Sequence, residues 1–491
     1  MDWKDEYKSK LLSVEEAARL IQSGQRVMIA GGSTDQPKVL KEALFARRNE
    51  LHDVSIYHLC PIREPGWLDA GHEEHFKVDI TGYVSPIGRP SVTERRTGFI
   101  PNAWDCTVKE MERPGEHRPV DWDIVTVSTP NKHGFCCFGP FLWLKKEYVK
   151  TSKKVIAEVD GNIRWVYGDT TVHVSEIDHF VEHTPVILTD EELPRALKDI
   201  EPEEKRNKIE TYTKQLLPNL RPTVIEVFKM LDIASIDSLA ETIGLVAPPE
   251  AEPIARYVNT LLRDRDTLQI GQGSPSAYLH RFGAFEGKKD LGYHAEMTAR
   301  GIGTMIREGR INGKYKTLLP GKSVFSALDG MSPEELDYCC ENPRVEVHST
   351  NWVSSIPVVA SNDNMVAIQN GVSVDLTGQI NAESIFGGLP LNGPGGQPPS
   401  HIGALCSKGG RAITVMRSTA VQGTVSCIVP QFEPGTVVTV PRPYADYIVS
   451  EYGIARLMGK TLRERAEALI AVAHPDFSEE LAKEARRLFW P

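Results

Sequence analysis

The sequence predicts an α/β protein built as two halves around largely parallel sheets. Three observations lead there. Short β-branched runs alternate with helical patterns along most of the chain. One long, charged, helical stretch interrupts that alternation near the middle. The 491 residues exceed what a single hydrophobic core usually organises.

Taken in order, the opening segment MDWKDEYKSKLLSVEEAARLIQSG has helical apolar spacing, and Ser13 with Glu16 three residues later forms a capping box. RVMIAGGS follows, a short apolar run ending in Gly31-Gly32-Ser33. The helical PKVLKEALFARRNEL and the strand-like VSIYHL complete a β-α-β rhythm. The rhythm recurs in DWDIVTVSTP and KKVIAEV, then in DTLQIGQGSPSAYLHRF, KDLGYHAEM, NMVAIQNGVSVDLTG and AITVM. Between about 190 and 250 the chain is charged and mostly helical, and that stretch closes on Pro248-Pro249. The predicted division is an N-terminal α/β domain over 1–195, a helical connection over 196–250 and a C-terminal α/β domain over 251–491. The last segment, RERAEALIAVAHPDFSEELAKEARRLFWP, reads as two short helices broken at His474-Pro475.

Composition limits the function. Charged residues at 25% and hydrophobic ones at 41% describe a globular chain rather than a disordered one. A net charge of -10 repels nucleic acid and anionic membranes, so neither is an expected partner, and any phosphate must be met by local cations or helix N-termini. The N-terminus lacks the apolar core of a signal peptide, and no stretch reaches the ~18 apolar residues of a bilayer span. A cytoplasmic protein is expected. Eight cysteines include the vicinal pairs Cys136-Cys137 and Cys339-Cys340 and no C-x-x-C, which predicts reduced, mostly buried thiols.

The polar centre of LGYHAEM, residues 291–297, is His294 and Glu296. A His-x-Glu pair can begin a zinc-deaminase signature, but no Pro-Cys-x-x-Cys follows, so no metal site is expected. GIARLMGKT has five residues between its glycines where a Walker loop has four. GQGSPS, Gly271 to Ser276, follows the strand-like TLQI and opens a helix-like SAYLHRF, so its amides could face an anionic group; an ordinary tight turn is the alternative. LNGPGGQPPSHIG could bring backbone N–H groups to an oxyanion or thioester carbonyl, or be a surface loop. No Gly-x-Ser-x-Gly elbow occurs, which argues against a serine α/β-hydrolase. After DLGYHA come the apolar positions Met297, Ile302, Met305 and Ile306, which predict Glu296 at or near a helix N-terminus. Spacing leaves two readings of it: a helix-start residue, or a carboxylate nucleophile facing the glycine loops.

Taken together, LQIGQG, LGYHAEM, MVAIQNGVSVDLTGQINAES, GPGGQ, SKGGRAI, VVTVPR and VSEYGIARLMGKTLRERAEALIAVAHPDF, with STPNKHGFCCFG and GDTTVHVSEIDHFVE in the first half, resemble one family. It is the acetyl-CoA hydrolase/transferase branch of the class I CoA-transferases. The resemblance implies two similar open α/β domains with the active site at their junction. It implies CoA transfer from an acyl-CoA to a free carboxylic acid, by a ping-pong path through a glutamyl-CoA thioester, with acyl-CoA hydrolysis as the alternative on the same scaffold. The nucleophile would be Glu296. Gly271, Gln272, Gly273 and Ser274, with Gly393, Gly395 and Gly396, would line the CoA and oxyanion site, and Lys408 would contact phosphate or pantetheine. CoA and acyl-CoA would be substrates rather than a tightly bound cofactor, and the assembly a homodimer or higher homo-oligomer. Two departures stand out: Pro275 arrives one residue earlier than in the family, and Pro398-Pro399-Ser400-His401 replaces its usual Val-Asp-Phe. Both are expected near the acyl group, which implies a carboxylic acid other than acetate or 4-hydroxybutyrate.

Overall fold

The first strand of each half is short and fully buried, and it becomes the centre of a parallel sheet. The computed structural model describes residues 2–32, 35–109, 119–218, 220–385 and 388–491, so Ser33 of the first glycine turn lies outside the described residues. The chain divides into two compact units, Met1–Ile236 with Ser326–Asp329 and Asp337–Trp352, and Asp237–Phe325 with Gly330–Leu336 and Val353–Pro491.

In the first unit, two helices rather than one precede the sheet, α1 (Trp3–Ser9) and α2 (Val14–Leu20), and Ser13 and Glu16 close the capping box on α2. The strands are β1 (Arg26–Ile29), β2 (Val54–His58), β3 (Phe76–Thr81), β4 (Gly98–Ile100), β5 (Trp122–Val127), β6 (Lys154–Val159) and β7 (His179–Glu182). They pair in the order β7-β6-β5-β1-β2-β3-β4, all parallel. Every residue of β1, β2 and β5 is buried, as expected where helices cover both faces, and that is why these strands read as continuous apolar runs. Helix α3 (Val39–Ala46) places Leu40 and Leu44 against Val27, Ile29 and Ile56 in one core. Later chain completes this unit: Val345–Val347 runs parallel to Tyr167–Gly168, and Phe141 bridges to Ala327.

The helical stretch contains α4 (Leu193–Leu197), α5 (Glu203–Thr213), α6 (Arg221–Met230) and α7 (Ile233–Thr242). The division between units falls inside α7. A linear boundary could not anticipate the return of 326–329 and 337–352, because their strand partners lie far away in sequence.

In the second unit, helix α8 (Ala251–Leu261) leads to β8 (Thr267–Ile270), β9 (Gly292–His294), β10 (Ser323–Phe325), β11 (Met365–Asn370), β12 (Arg411–Val415), β13 (Tyr447–Ser450) and β14 (Gly453–Arg456). Their order is β14-β13-β12-β11-β8-β9-β10, parallel except for the β13/β14 pair. The topology repeats that of the first unit: the first strand is central, the next ones lie on one side, and the returning ones on the other. GIARLMGKT is the edge strand β14 and a turn, after which Thr461 caps α11 (Leu462–Ile470). The break at His474 starts α12 (Pro475–Phe489). Among the short helices between these elements are α9 (Ile302–Arg307) and α10 (Gln397–Cys406). None of the eight cysteines is in a disulfide, and five of them are buried. No helix among the described residues is long and apolar enough to cross a bilayer.

Candidate active site

In the second unit β8 continues to β9 on one side and β11 to β12 on the other. The carboxyl ends of β8 and β11 therefore bound a topological switch point, where open parallel sheets receive ligands. The Gly271-Gln272-Gly273 loop leaves β8 there. Gly271 donates its N–H to the Ile368 carbonyl at 2.7 Å, and a Cβ built on it would overlap Gln369 Oε1, so any larger residue there would have to displace the end of that side chain. Asn370, the last residue of β11, holds the loop from the neighbouring strand. Its Nδ2 donates to the Gln272 carbonyl at 2.7 Å and to the Ser276 hydroxyl at 2.8 Å, and its Oδ1 accepts from the Ser276 N–H at 3.0 Å. Ser276 Oγ donates back to the Gly271 carbonyl at 2.5 Å. That side chain to backbone bonding competes with helix formation, and only a 3-10 turn, Ser276–Tyr278, forms where SAYLHRF predicted a helix. Ser274 Oγ accepts from Arg417 Nη2 at 3.3 Å, and Arg417 also pairs with Glu241 and Glu250. Burial lowers the Arg417 guanidinium from its usual value.

Glu296 follows β9 at the same edge of the sheet. It is half-buried and lies in a bend, with α9 beginning only at Ile302 after Gly301 in the left-handed region at φ 92°. This corrects the expectation of a helix N-terminus, because the intervening loop is stapled to other elements. Tyr293 Oη donates to the Met297 carbonyl at 3.1 Å, Gln272 Nε2 donates to the Thr298 carbonyl, and the Gly330 N–H donates to Thr298 Oγ1 at 3.1 Å. Burial pushes the Tyr293 phenol above its usual range and keeps it a donor. The Gln272–Thr298 bond ties the glycine loop directly to the glutamate loop. His294 is fully buried, with Nε2 2.9 Å from the Val353 carbonyl, so it orients the end of β9 rather than facing outward with Glu296.

The second glycine loop reaches the same edge by a different route. Helix α10 connects parallel strands β11 and β12, so it runs back from their carboxyl ends, with Gly396 as its N-cap. Gly393 and Gly396 are buried, and Gly395 has φ 55°. The N–H groups of Leu391 and Asn392 donate to the Glu383 carbonyl at 2.8 and 3.2 Å, which fixes the approach to the loop. Lys408 is not brought into this group. It follows the far end of α10, about 15 Å away at 1.5 Å per helical residue, with its side chain 87% exposed and Nζ 3.9 Å from Asp363. The run from Pro398 also needs correcting. Its prolines occupy the first turn of α10, and His401 is fully buried with Nε2 3.0 Å from Thr414 Oγ1 on β12. Burial holds that imidazole down to about 4, so His401 is a core residue and not part of an acyl wall.

Reading the sequence did not single out Asn370, Thr298, Gly330 or Arg417. An Asn-Gly pair directly after an apolar strand was a usable signal for Asn370. Gly330 had none, since its partner lies 32 residues away. Glu296, two glycine loops with backbone N–H groups and their braces thus share one sheet edge. A carboxylate so placed can attack a carbonyl carbon while fixed N–H donors receive the oxyanion. Among the described residues no cluster of His, Cys, Asp and Glu is arranged to hold a metal ion.

The sequence profile of the acetyl-CoA hydrolase/transferase N-terminal domain matches residues 1–190, and that of the C-terminal domain matches residues 333–485. The 4-hydroxybutyrate coenzyme A transferase of Clostridium kluyveri is 34% identical over 492 residues, covering 100% of both chains. The succinyl-CoA:cyclohexane-1-carboxylate CoA transferase of Geobacter metallireducens is 32% identical over 494 residues, covering 99% of this chain and 97% of that protein. The crystal structure of RipA from Yersinia pestis matches with a TM-score of 0.80 at 27% identity, covering 99% of each chain.

Proposed function

This chain belongs to the acetyl-CoA hydrolase/transferase family and is an enzyme of the CoA-transferase class, and we propose that it moves CoA from an acyl-CoA to a free carboxylic acid through covalent intermediates on Glu296. A Glu296 oxygen attacks the thioester carbonyl, the C–S bond breaks, and CoA leaves as thiolate from an acyl-glutamyl anhydride. The thiolate then attacks the glutamyl carbonyl, which releases the first carboxylate and leaves a glutamyl-CoA thioester. A second carboxylate attacks that thioester and displaces the thiolate, giving a new anhydride. The thiolate takes the new acyl group and Glu296 returns as carboxylate. Anhydride and thioester lie close enough in energy for exchange in both directions without ATP.

The observation that carries this reading is the bond between Gln272 and Thr298, which holds the Glu296 loop beside the glycine loop at the switch point. In the proposal the N–H groups around Gly271, Gln272, Gly273 and Ser274, with Gly393, Gly395 and Gly396, receive the oxyanion and the CoA arm. Lys408 has no part in it. Binding energy from the CoA nucleotide, remote from the reacting carbon, drives the strained covalent steps. The same reading takes the enzyme to be cytoplasmic and a homo-oligomer, and light scattering on the purified protein checks the oligomeric state.

Intact mass after treatment with butyryl-CoA and borohydride reduction tests the chemistry. The reduced glutamyl product should map to Glu296, be absent from Glu296→Ala, and vanish when a carboxylate acceptor is added before the borohydride. Rapid thiol release from acyl-CoA alone, unaffected by any of a panel of carboxylates, would instead assign hydrolysis.

A further inference from the structure

The loop that carries Glu296 is held at Thr298 by Gln272 and Gly330. Its far end runs through Arg300 and Gly301 into α9, and α9 is poorly equipped to start. The first N–H groups of a helix have no partner within it, and a Ser, Thr, Asp or Asn at the N-cap usually accepts from one of them. The N-cap of α9 is Gly301, which has no side chain to offer, and the first turn of α9 holds no acidic residue. The missing acceptor comes from 31 residues further along the chain. Glu335 Oε1 accepts from the N–H of Thr304, the third residue of α9, at 2.9 Å.

Both oxygens of Glu335 are committed. Oε2 accepts from the Ser332 N–H at 2.9 Å, and Ser332 Oγ accepts in turn from the Glu335 N–H at 3.3 Å, a capping box on the helix Pro333–Cys339. The side chain is therefore fixed by its own helix before it reaches α9. It is 4% exposed, and it packs on Gly303, where a built Cβ would overlap the Glu335 Cβ. A carboxylate that accepts from N–H groups at a helix start makes charge-assisted bonds, stronger than neutral ones and favoured by the helix dipole. Arg300 feels the same group: burial lowers its guanidinium from its usual value, and the Glu335 charge, ahead of that of Glu334, opposes this. Gly330 packs as closely on the near end of the loop, since a Cβ there would overlap the Thr298 carbonyl. One short stretch, from Gly330 to Glu335, thus grips the Glu296 loop at Thr298 and again at Thr304.

We infer that Glu335 is a positioning residue for Glu296, acting through the first turn of α9. Its carboxylate transfers nothing; it closes the end of the loop that Gln272 and Gly330 leave open. Without it the Thr304 N–H loses its acceptor, the first turn of α9 loosens, and the loop hangs from Thr298 alone. A nucleophile displaced by about 1 Å can lose on the order of 10²-fold in rate, because attack needs a near-aligned approach to the carbonyl carbon. The anchor itself stands on the hydrogen bonds of the second unit. Its catalytic consequence rests on the reading of Glu296 as the nucleophile.

Full-length wild type, Glu335→Ala and Glu335→Gln are compared side by side. Rapid acid quench after mixing with saturating butyryl-CoA, read by intact mass, gives the rate and the amplitude of the CoA-bearing Glu296 adduct. Glu335→Ala should slow that rate about ten- to a hundred-fold, while the amplitude and the KM for butyryl-CoA stay within about two-fold of wild type. Glu335→Gln should fall between the two, because its single carbonyl oxygen serves one N–H while its amide faces the other. Hydrogen exchange of the peptide spanning residues 297–306 should be faster in Glu335→Ala, with the strand peptides unchanged. A wild-type rate, a lower amplitude at the wild-type rate, as a merely structural residue would give, or unchanged exchange overturns the inference. Should Glu335→Ala fail to fold, Glu335→Gln decides by the same two readouts, and wild-type values in it refute the role. If the wild type itself forms no adduct, the nucleophile reading falls and takes the catalytic consequence with it. If the wild type forms the adduct and the variants keep pace, only the role of Glu335 falls.

Discussion

Deleting the side chain of Asn370 tests whether the switch-point loop is a scaffold for chemistry. Three hydrogen bonds, at 2.7, 2.8 and 3.0 Å, join this one amide to Gln272 and Ser276. A neutral hydrogen bond contributes a net of about 0.5–1.5 kcal/mol. Asn370 is half-buried, so water recovers part of what is lost, and Asn370→Ala should free the loop by about 1.5–3 kcal/mol in total. If the loop amides must be ordered to receive the oxyanion, kcat/KM falls about ten- to a hundred-fold, at 1.36 kcal/mol per decade. The protein as a whole should melt within a few degrees of wild type, because the loop is at a sheet edge and the core residues of β8 and β11 are untouched. Asn370→Asp is the sharper variant. It keeps size and the Oδ1 acceptor but turns a carboxylate oxygen toward the Gln272 carbonyl, so it should cost at least as much as alanine. The assay is steady-state CoA exchange between an acyl-CoA and a carboxylate, with thermal melts in parallel. Wild-type kcat/KM in both variants, or a loss matched by collapse of the melting temperature, would refute the loop's role.

Three further outcomes follow from the same geometry. Glu296→Gln, which keeps shape and removes the nucleophilic charge, should lower CoA exchange by about 10³-fold or more, measured by thiol release coupled to acceptor consumption. His401 is held neutral by burial, its value dropping from 6.5 to about 4. Between those pH values the unfolded chain binds the proton and the folded one does not, so stability is full above pH 6.5 and is lost as pH falls toward 4, by up to about 3 kcal/mol. Urea unfolding at several pH values should show that slope in wild type and a flatter one in His401→Gln. Asp266 and Arg411, 1% and 6% exposed, pair across the amino-terminal edge of the second sheet. Asp266→Ala leaves that guanidinium buried without its partner and should destabilise the protein by about 3–5 kcal/mol. Differential scanning calorimetry reads this directly, and an unchanged melting temperature would mean the guanidinium is already solvated.

Much of this molecule is legible in its residues one segment at a time. RVMI, VSIYH, WDIVTV, TLQI and MVAIQN are strands because their side chains suit burial on both faces, and Ser13 caps its helix because its partner Glu16 is three residues away. The chemistry of Glu296 is proposed from residues as well, through ordered motifs that resemble a family. Where the partner lies far along the chain, local reading fails. The expectation that Glu296 starts a helix ignored Gln272, Tyr293 and Gly330, whose bonds hold its loop open. Lys408, close in sequence to Gly396, ends up at the other end of a helix, since a helix between parallel strands must cross the sheet. The return of residues 337–352 to the first unit and the Asn370 brace likewise arise from pairings between distant residues. Sequence by itself determined most of the strands and helices, because those depend on neighbours within a turn or two, and through resemblance to a family it put Glu296 forward as the proposed nucleophile. Only the tertiary structure decided which loops share an edge, because strand order in a parallel sheet is set by crossovers and long-range packing that no local pattern encodes.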